Sequence, residues 1–262
     1  MRIVVCVKEV PDTTEVKIDP ETNTLIRSGV PSIINPFDLN ALEEALKLKD
    51  NIGAEVIVLS MGPPSVEKNL RELLAMGSDK AILLTDRAFA GADTWATSLT
   101  ISEAIKKIGD VDLIITGKQA IDGDTAQVGP GIATFLDYPQ VMFAQSIIDT
   151  SDSSIKLRRS IEDGHQVVEI QLPAVISIIK GSSDPRLPSL RGMMKAKKAE
   201  ITKLTLDDLG LEPDNVGLSG SPTRVVKIFS PPKKEDGEKW EGEPTELATK
   251  LIDTLQADGL IS

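Results

Sequence analysis

Residues 111–130 read VDLIITGKQAIDGDTAQVGP. The first six, Val111 to Thr116, form an apolar run of strand length. Gly117 ends the run, and beyond Gln127 a helical pattern begins and continues to about Leu136. Strand, glycine turn and helix start, in that order, make the repeating unit of a parallel α/β sheet, and such a turn can hold phosphate on the N–H groups of the helix. Gly117 and Gly123 permit close backbone approach, and Thr125 and Gln127 offer neutral hydrogen bonds. Asp122 and Asp124 lie where an anion would sit, so they need other roles: capping N–H groups or accepting from ribose hydroxyls. The competing reading is an ordinary loop in which one of these aspartates caps the helix. There is no GxxxxGK[ST] motif in the chain, and Gly129-Pro130-Gly131 lies after the helix start and lacks the third glycine of GxGxxG.

Toward the N-terminus the alternation repeats. Residues 2–8, RIVVCVK, read as a buried strand, and 15–34 as an extended or hairpin excursion turning at Gly29. Asn35 and Pro36 suit the cap and first position of a helix whose apolar face is Leu39, Leu42, Ala45, Leu46 and Ile52. A strand over 54–60 leads to a turn at Met61-Gly62-Pro63 and a helix over about 64–76. A third strand at 81–84 precedes a helix over 94–108 capped by Asp93. Strand–helix alternation with buried strands means a parallel sheet covered on both faces, with ligands at the carboxyl ends of the strands. Three segments leave strand ends there: the chain after Cys6, the turn at Met61-Gly62, and residues 117–128.

The pattern changes from about residue 145. Residues 154–172 alternate around Glu162-Asp163-Gly164, a hairpin signal. Residues 174–179 read as a buried strand and 180–200 as a loop. Within it, residues 180–199 carry Lys180, Arg186, Arg191, Lys195, Lys197 and Lys198 against Asp184 alone, with Leu187, Leu190, Met193 and Met194 interleaved. Apolar anchors in a cationic rim suit an acidic protein partner. Residues 231–244 read as a tether, and 245–258 as an amphipathic helix with Leu247, Ala248, Leu251, Ile252 and Leu255 on one face.

Net charge −11 argues against a general nucleic-acid binder, and the basic segment has no aromatic to stack on bases. The single cysteine, Cys6, rules out an internal disulfide framework and fits a reducing compartment. The N-terminal apolar run is too short for a signal peptide and no other run reaches membrane-span length, so a soluble cytoplasmic protein is expected. The one histidine, His165, sits beside the hairpin turn and reads as a solvated residue. No metal-ligand or nucleophile–base constellation stands out.

Taken in order, VCVKEV, NPFD at 35–38, SMGP at 60–63, AMGSDKAI at 75–82, GKQAIDGDTAQVGP at 117–130, RRSIEDGHQVVEIQLPAVIS at 158–177 and DPRLPSLRGMMKAKK at 184–198 resemble the beta subunit of electron-transfer flavoprotein. The resemblance implies an α/β fold: a parallel-sheet, Rossmann-like adenine-nucleotide domain over residues 1–200. That domain includes the hairpin 154–172 and the basic loop 180–200. Residues 201–262 would be an extension docking on an alpha subunit. The resemblance implies a nucleotide pocket of Cys6, Asn35, Asp38, Met61, Gly117, Gln119, Asp122, Gly123, Asp124, Thr125, Ala126, Gln127 and Val128. It also implies a recognition loop that docks flavin-containing dehydrogenases through Arg186, Leu187, Leu190, Arg191, Met193, Lys195, Lys197 and Lys198, with Leu190 as its anchor.

In one group of this family the beta subunit holds AMP. In the other it holds a second FAD, accepts hydride from NADH and splits the electron pair between ferredoxin or flavodoxin and a dehydrogenase (electron bifurcation). The AMP group usually carries an acidic residue where this chain has Gly123, so the resemblance favours FAD, with AMP the alternative and NAD(H) the substrate. Flavin and nicotinamide would carry the chemistry, and no side chain is expected to act as acid or base. A stand-alone adenine-nucleotide sensor of similar architecture is the reading from another class, with the basic loop and C-terminal helix against it.

Overall fold

Strand β1 (Arg2–Cys6) is buried on both faces, and its alternation sorts the two cores. Ile3 and Val5 pack with Leu42, Leu46, Leu70 and Leu73, whereas Val4 and Cys6 pack with Ile57, Leu59, Ile101, Ile105 and Ile132. The computed structural model describes residues 1–12, 31–227 and 237–261. The chain continues through β2 (Glu9–Pro11), β3 (Ser32–Ile34), α1 (Pro36–Ile52), β4 (Glu55–Met61), α2 (Glu67–Met76), β5 (Lys80–Leu84), α3 (Thr94–Ile108), β6 (Leu113–Gly117) and α4 (Val128–Leu136). It goes on through β7 (Gln140–Thr150), β8 (Ser154–Ile161), β9 (Gly164–Gln171), β10 (Ala174–Ile178), α5 (Leu190–Lys198), β11 (Ile201–Leu204), α6 (Leu206–Leu209) and α7 (Pro244–Ala257). Among the described residues one nine-stranded sheet runs in the order β11-β5-β4-β1-β6-β10-β7-β8-β9. It is parallel from β11 to β7, and the β8–β9 hairpin extends it antiparallel. The α/β parallel-sheet expectation is met.

Local chemistry accounts for the element ends. Gly53 closes α1 in the left-handed region (φ 72°). Asp93 caps α3, its carboxylate accepting from the N–H groups of Trp95 and Ala96. β2 and β3 pair antiparallel, Glu9 opposite Ile34, at the base of the expected excursion; its Gly29 turn lies outside the described residues.

Three expectations need correction, and one strand had no expectation at all. Residues 140–150 form a long strand, β7, beside β10. Two register shifts, at Ala144/Ser146 and Ile147/Asp149, and a left-handed Phe143 (φ 65°) break the period-two pattern that would have marked it. The basic segment is not all loop: Leu190–Lys198 is α5, capped by Ser189, whose hydroxyl accepts from Gly192 N–H at 2.9 Å. Gly192 reads as a helix breaker, yet a Cβ there would lie 2.1 Å from the Ala75 carbonyl oxygen, so it is the close-approach point of α5 on α2. Asn35 makes no side-chain cap on α1. Finally, β11 pairs with β5, and the first compact unit runs from Met1 to Val226. Residues 201–226 therefore belong with the sheet rather than with an extension starting at 201.

The second unit, Lys227–Ser262, contains α7. Trp240 donates its indole N–H to Glu238 at 2.8 Å and receives the Lys250 ammonium over its ring at 4.3 Å. None of the α7 side chains is buried. Residues 231–236 of the expected tether lie outside the described residues. Among the described residues no helix is long and apolar enough to cross a membrane.

Candidate functional site

From β1 the chain builds outward to β4 and β5, then returns to lay β6 on the other side of β1. The carboxyl ends of β1 and β6 therefore flank the point where the strand order reverses, where a crevice opens in such sheets. Cys6 and Thr116 are register partners there.

Beyond these strand ends the chain is tied together by the entry of α1. Lys8 N–H donates to the Asp38 carboxylate at 2.8 Å, and the Lys8 carbonyl accepts from Asn35 N–H at 2.9 Å. The Asn35 amide, free of any capping duty, reaches the turn after β6. Its Nδ2 donates to the Gln119 carbonyl at 2.8 Å and its Oδ1 accepts from Ile121 N–H at 3.3 Å. One side chain thus satisfies two main-chain groups of the turn.

Both aspartates of the turn are engaged elsewhere than at a cap. The Lys8 ammonium sits on Asp122, at 2.7 and 2.9 Å from its two oxygens, and Gln119 donates its side-chain N–H to Asp124. The residue preceding α4 is Gln127, and its side chain accepts from the Thr94 hydroxyl at 2.9 Å and caps nothing. The expectation that an aspartate caps this helix is corrected, because both carboxylates find partners on the N-terminal side of the turn. The first N–H groups of α4 are left without a side-chain cap. Beneath them the Thr116 hydroxyl oxygen is buried and has no hydrogen-bond partner, and a Cβ on Gly129 would lie 2.9 Å from it. Asp124 and Ala126 both hold left-handed conformations, φ 53° and 54°. For alanine that is a strained geometry of the kind found at ligand sites.

The two glycines of the turn have different reasons. At Gly117 a Cβ would lie 2.2 Å from an Asp38 carboxylate oxygen and 2.7 Å from the Phe37 Cβ, so the chain's own packing excludes a side chain. At Gly123 a Cβ would meet nothing within 4 Å, so no internal contact calls for glycine. We therefore expect Gly117→Ala to cost about 1–3 kcal/mol of stability, the usual cost of overpacking, and Gly123→Ala to be neutral within about 0.5 kcal/mol. Urea unfolding of the two variants checks this; equal effects would refute the distinction.

Asp38 is buried, and desolvation pushes its carboxyl up to about 7, against the opposing pull of the Lys8 N–H, the Asn35 side chain and the Gly117 N–H. Burial, with the Asp38 carboxylate nearby, raises the Cys6 thiol far above its ordinary range, so it is a packing group and not a nucleophile. Met61, at the end of β4, packs partly against the same core as Cys6 and Val128. Thr125 is exposed. Of the expected pocket, Cys6, Asn35, Asp38, Gly117, Gln119, Asp122 and Asp124 are drawn into one connected group. Residues the sequence did not single out for this site lie beside it: Lys8 on Asp122, Thr94 on Gln127, and the orphan Thr116. Only the fold brings Lys8 and Thr94 to the turn.

The basic segment begins with left-handed Gly181 (φ 81°). Leu187, Leu190 and Met194 are strongly exposed and Met193 partly so, with Arg191, Lys195, Lys197 and Lys198 on the same helix. Arg186, expected among the partner-binding cations, is committed within the chain: its guanidinium grips Glu43 at 2.9 to 3.2 Å and reaches Asp50 at 2.8 Å. These carboxylates hold the Arg186 pKa above its ordinary value.

A model of the electron transfer flavoprotein domain matches residues 22–209. The chain is 52% identical over 263 residues to subunit CarD of the caffeyl-CoA reductase-Etf complex of Acetobacterium woodii, with the whole of both chains covered. It is 50% identical to the electron transfer flavoprotein subunit beta of Clostridium acetobutylicum, again over the whole of both chains. It is 48% identical to protein FixA of Sinorhizobium fredii, over 90% of this chain and 85% of that one.

Proposed function

Because the chain belongs to the electron transfer flavoprotein family, in which its beta-type relatives serve electron transfer, we propose that it is the beta subunit of an alpha–beta electron carrier that binds FAD at the carboxyl ends of β1 and β6. The observation that carries this reading is the uncapped first turn of α4 above the orphan Thr116 hydroxyl. Donors without an acceptor, at a helix N-terminus on a sheet's switch point, fit the diphosphate of a dinucleotide. The α4 N–H groups and the exposed Thr125 would face phosphate. The exposed Asp124 would accept from ribose, while Lys8 keeps Asp122 neutralised. The open space at Gly123 supports FAD over AMP, since the longer diphosphate needs room beside that turn.

Bound flavin would supply hydride acceptance from NADH and release of electrons to ferredoxin or flavodoxin and to a dehydrogenase. The chain's own residues bind and orient it. The identity with a subunit of a caffeyl-CoA reductase complex supports a partner that works on a CoA ester. α7, with Leu251 and Ile252 half exposed, is assigned to the alpha subunit. The test is a count of nucleotides released on denaturing the purified heterodimer after loading with FAD. Two FAD per heterodimer and bleaching by NADH are expected. One FAD, one AMP and no response to NADH would place the chain among the simple carriers.

Docking of the dehydrogenase is assigned to α5 and its approach. Leu190 is 73% exposed amid Leu187, Met193 and Met194, a patch of the sort that marks an interface. Leu190→Ala is expected to weaken dehydrogenase binding by about 1.5–3 kcal/mol, with flavin content unchanged. Neutralising Lys195, Lys197 and Lys198 together should mainly slow association and flatten its salt dependence. Titration of the complex with its dehydrogenase measures both, and an unaltered affinity in the leucine variant removes this surface as the dock.

A further inference from the structure

α1 presents two sets of side chains to two different loops. Its entry holds the 117–128 turn, through Asn35 on Gln119 and Ile121 and through Asp38 packed on Gly117. Further along the helix, Asn40 and Glu43, each 5% exposed, face the start of the basic segment. Asn40 Oδ1 accepts from Gly181 N–H at 2.9 Å and from the Ser182 hydroxyl at 3.3 Å. Glu43 accepts from the Arg186 main-chain N–H at 3.0 Å and from its guanidinium. A second tie joins the two loops at their roots, where Lys118 N–H donates to the Ile178 carbonyl at 2.8 Å. Buried acceptors of this kind have no water to turn to, so their bonds hold one arrangement.

We propose that Asn40 and Glu43 are positioning residues that set residues 181–198 from the same helix that holds the nucleotide turn, so that a nucleotide seated on 117–128 also orders the basic segment. The inference rests on the nucleotide reading of that turn and goes beyond it in naming α1 as the connecting body. A rigid helix gripping both loops on desolvated side chains has no slack between them. Tightening the turn against Asn35 and Asp38 restricts the helix that Arg186 grips.

The test is amide hydrogen exchange on the alpha–beta complex, stripped of nucleotide and reloaded with FAD or with AMP. Nucleotide is expected to slow exchange at 117–128 and also at 181–189, the latter by about tenfold, within the range of ordinary coupling. In Glu43→Gln the first protection stays and the second disappears. Arg186→Lys, which leaves α1 unaltered and keeps a cation beside Glu43, supplies the same comparison should Glu43→Gln fail to fold. Protection confined to 117–128 in the unaltered complex overturns the inference and leaves the nucleotide reading standing. So does protection at 181–189 that survives the substitutions. Absence of protection at 117–128 with both nucleotides removes the nucleotide reading, and this inference with it.

Discussion

Arg186→Met is expected to cost about 1–3 kcal/mol of stability, the usual consequence of leaving a buried acceptor without its donor, since Glu43 is buried while Arg186 itself is a third exposed. The Glu43 side chain is only 7% exposed, and three of its four bonds from Arg186 come from the guanidinium. Methionine keeps the length and apolar stem of arginine, so the loss reports the stranded carboxylate and not a hole. The control removes both charges together. Glu43→Leu combined with Arg186→Met removes both charges and should recover most of the loss, because a buried pair replaced by apolar groups is often neutral. Urea unfolding of the three variants decides it. A single-variant cost under about 1 kcal/mol, the scale of an exposed pair, would show that solvent reaches Glu43 and that Arg186 is no anchor.

The second large effect is a pH dependence written by Asp38. Its carboxyl stands at about 7 in the folded chain against an ordinary 3.8. Between those values the unfolded chain has released the proton and the folded chain retains it, so the folded state binds more protons. Stability from this group is therefore fully present below about pH 4, falls as pH rises, and is gone above about pH 7. The difference between 3.8 and about 7 corresponds to at most roughly 4 kcal/mol. Asp38→Asn keeps an oxygen for the Lys8 N–H and cannot titrate. The measurement is the difference in unfolding free energy between the two proteins at half-unit steps from pH 4.5 to 8. The unaltered chain should lose stability relative to the variant across that window. A constant difference would mean that Asp38 stays ionised in the fold, held by its N–H donors.

The alternation of short apolar runs with helical patterns was sufficient to read the parallel sheet, because a strand buried on both faces leaves a run that no surface element shares. The hairpin at 154–172 and the cap at Asp93 were legible for the same kind of local reason: each depends on residues near one another in the chain. β7 was not legible, since its two register shifts and left-handed Phe143 spoil the period that marks a strand. α5 was hidden behind Gly192, whose value lies in the close approach of α2 and cannot be seen from the helix's own sequence.

For the site, sequence pattern and family resemblance together named the turn at 117–128, Cys6, Asn35 and Asp38. The roles were decided by tertiary contacts. Asn35, at the position of a helix cap, spends its amide on a turn more than eighty residues away. Asp122 and Asp124, in the place of caps, are neutralised by Lys8 and bonded by Gln119. Arg186, one cation of a basic run, is turned inward by Glu43 and Asp50. In each case the order of residues along the chain set that a polar group would be present and roughly where. Its partner was decided by the fold, because a hydrogen bond or ion pair goes to whichever group packing brings within about 3 Å, and adjacency in the chain does not set that distance.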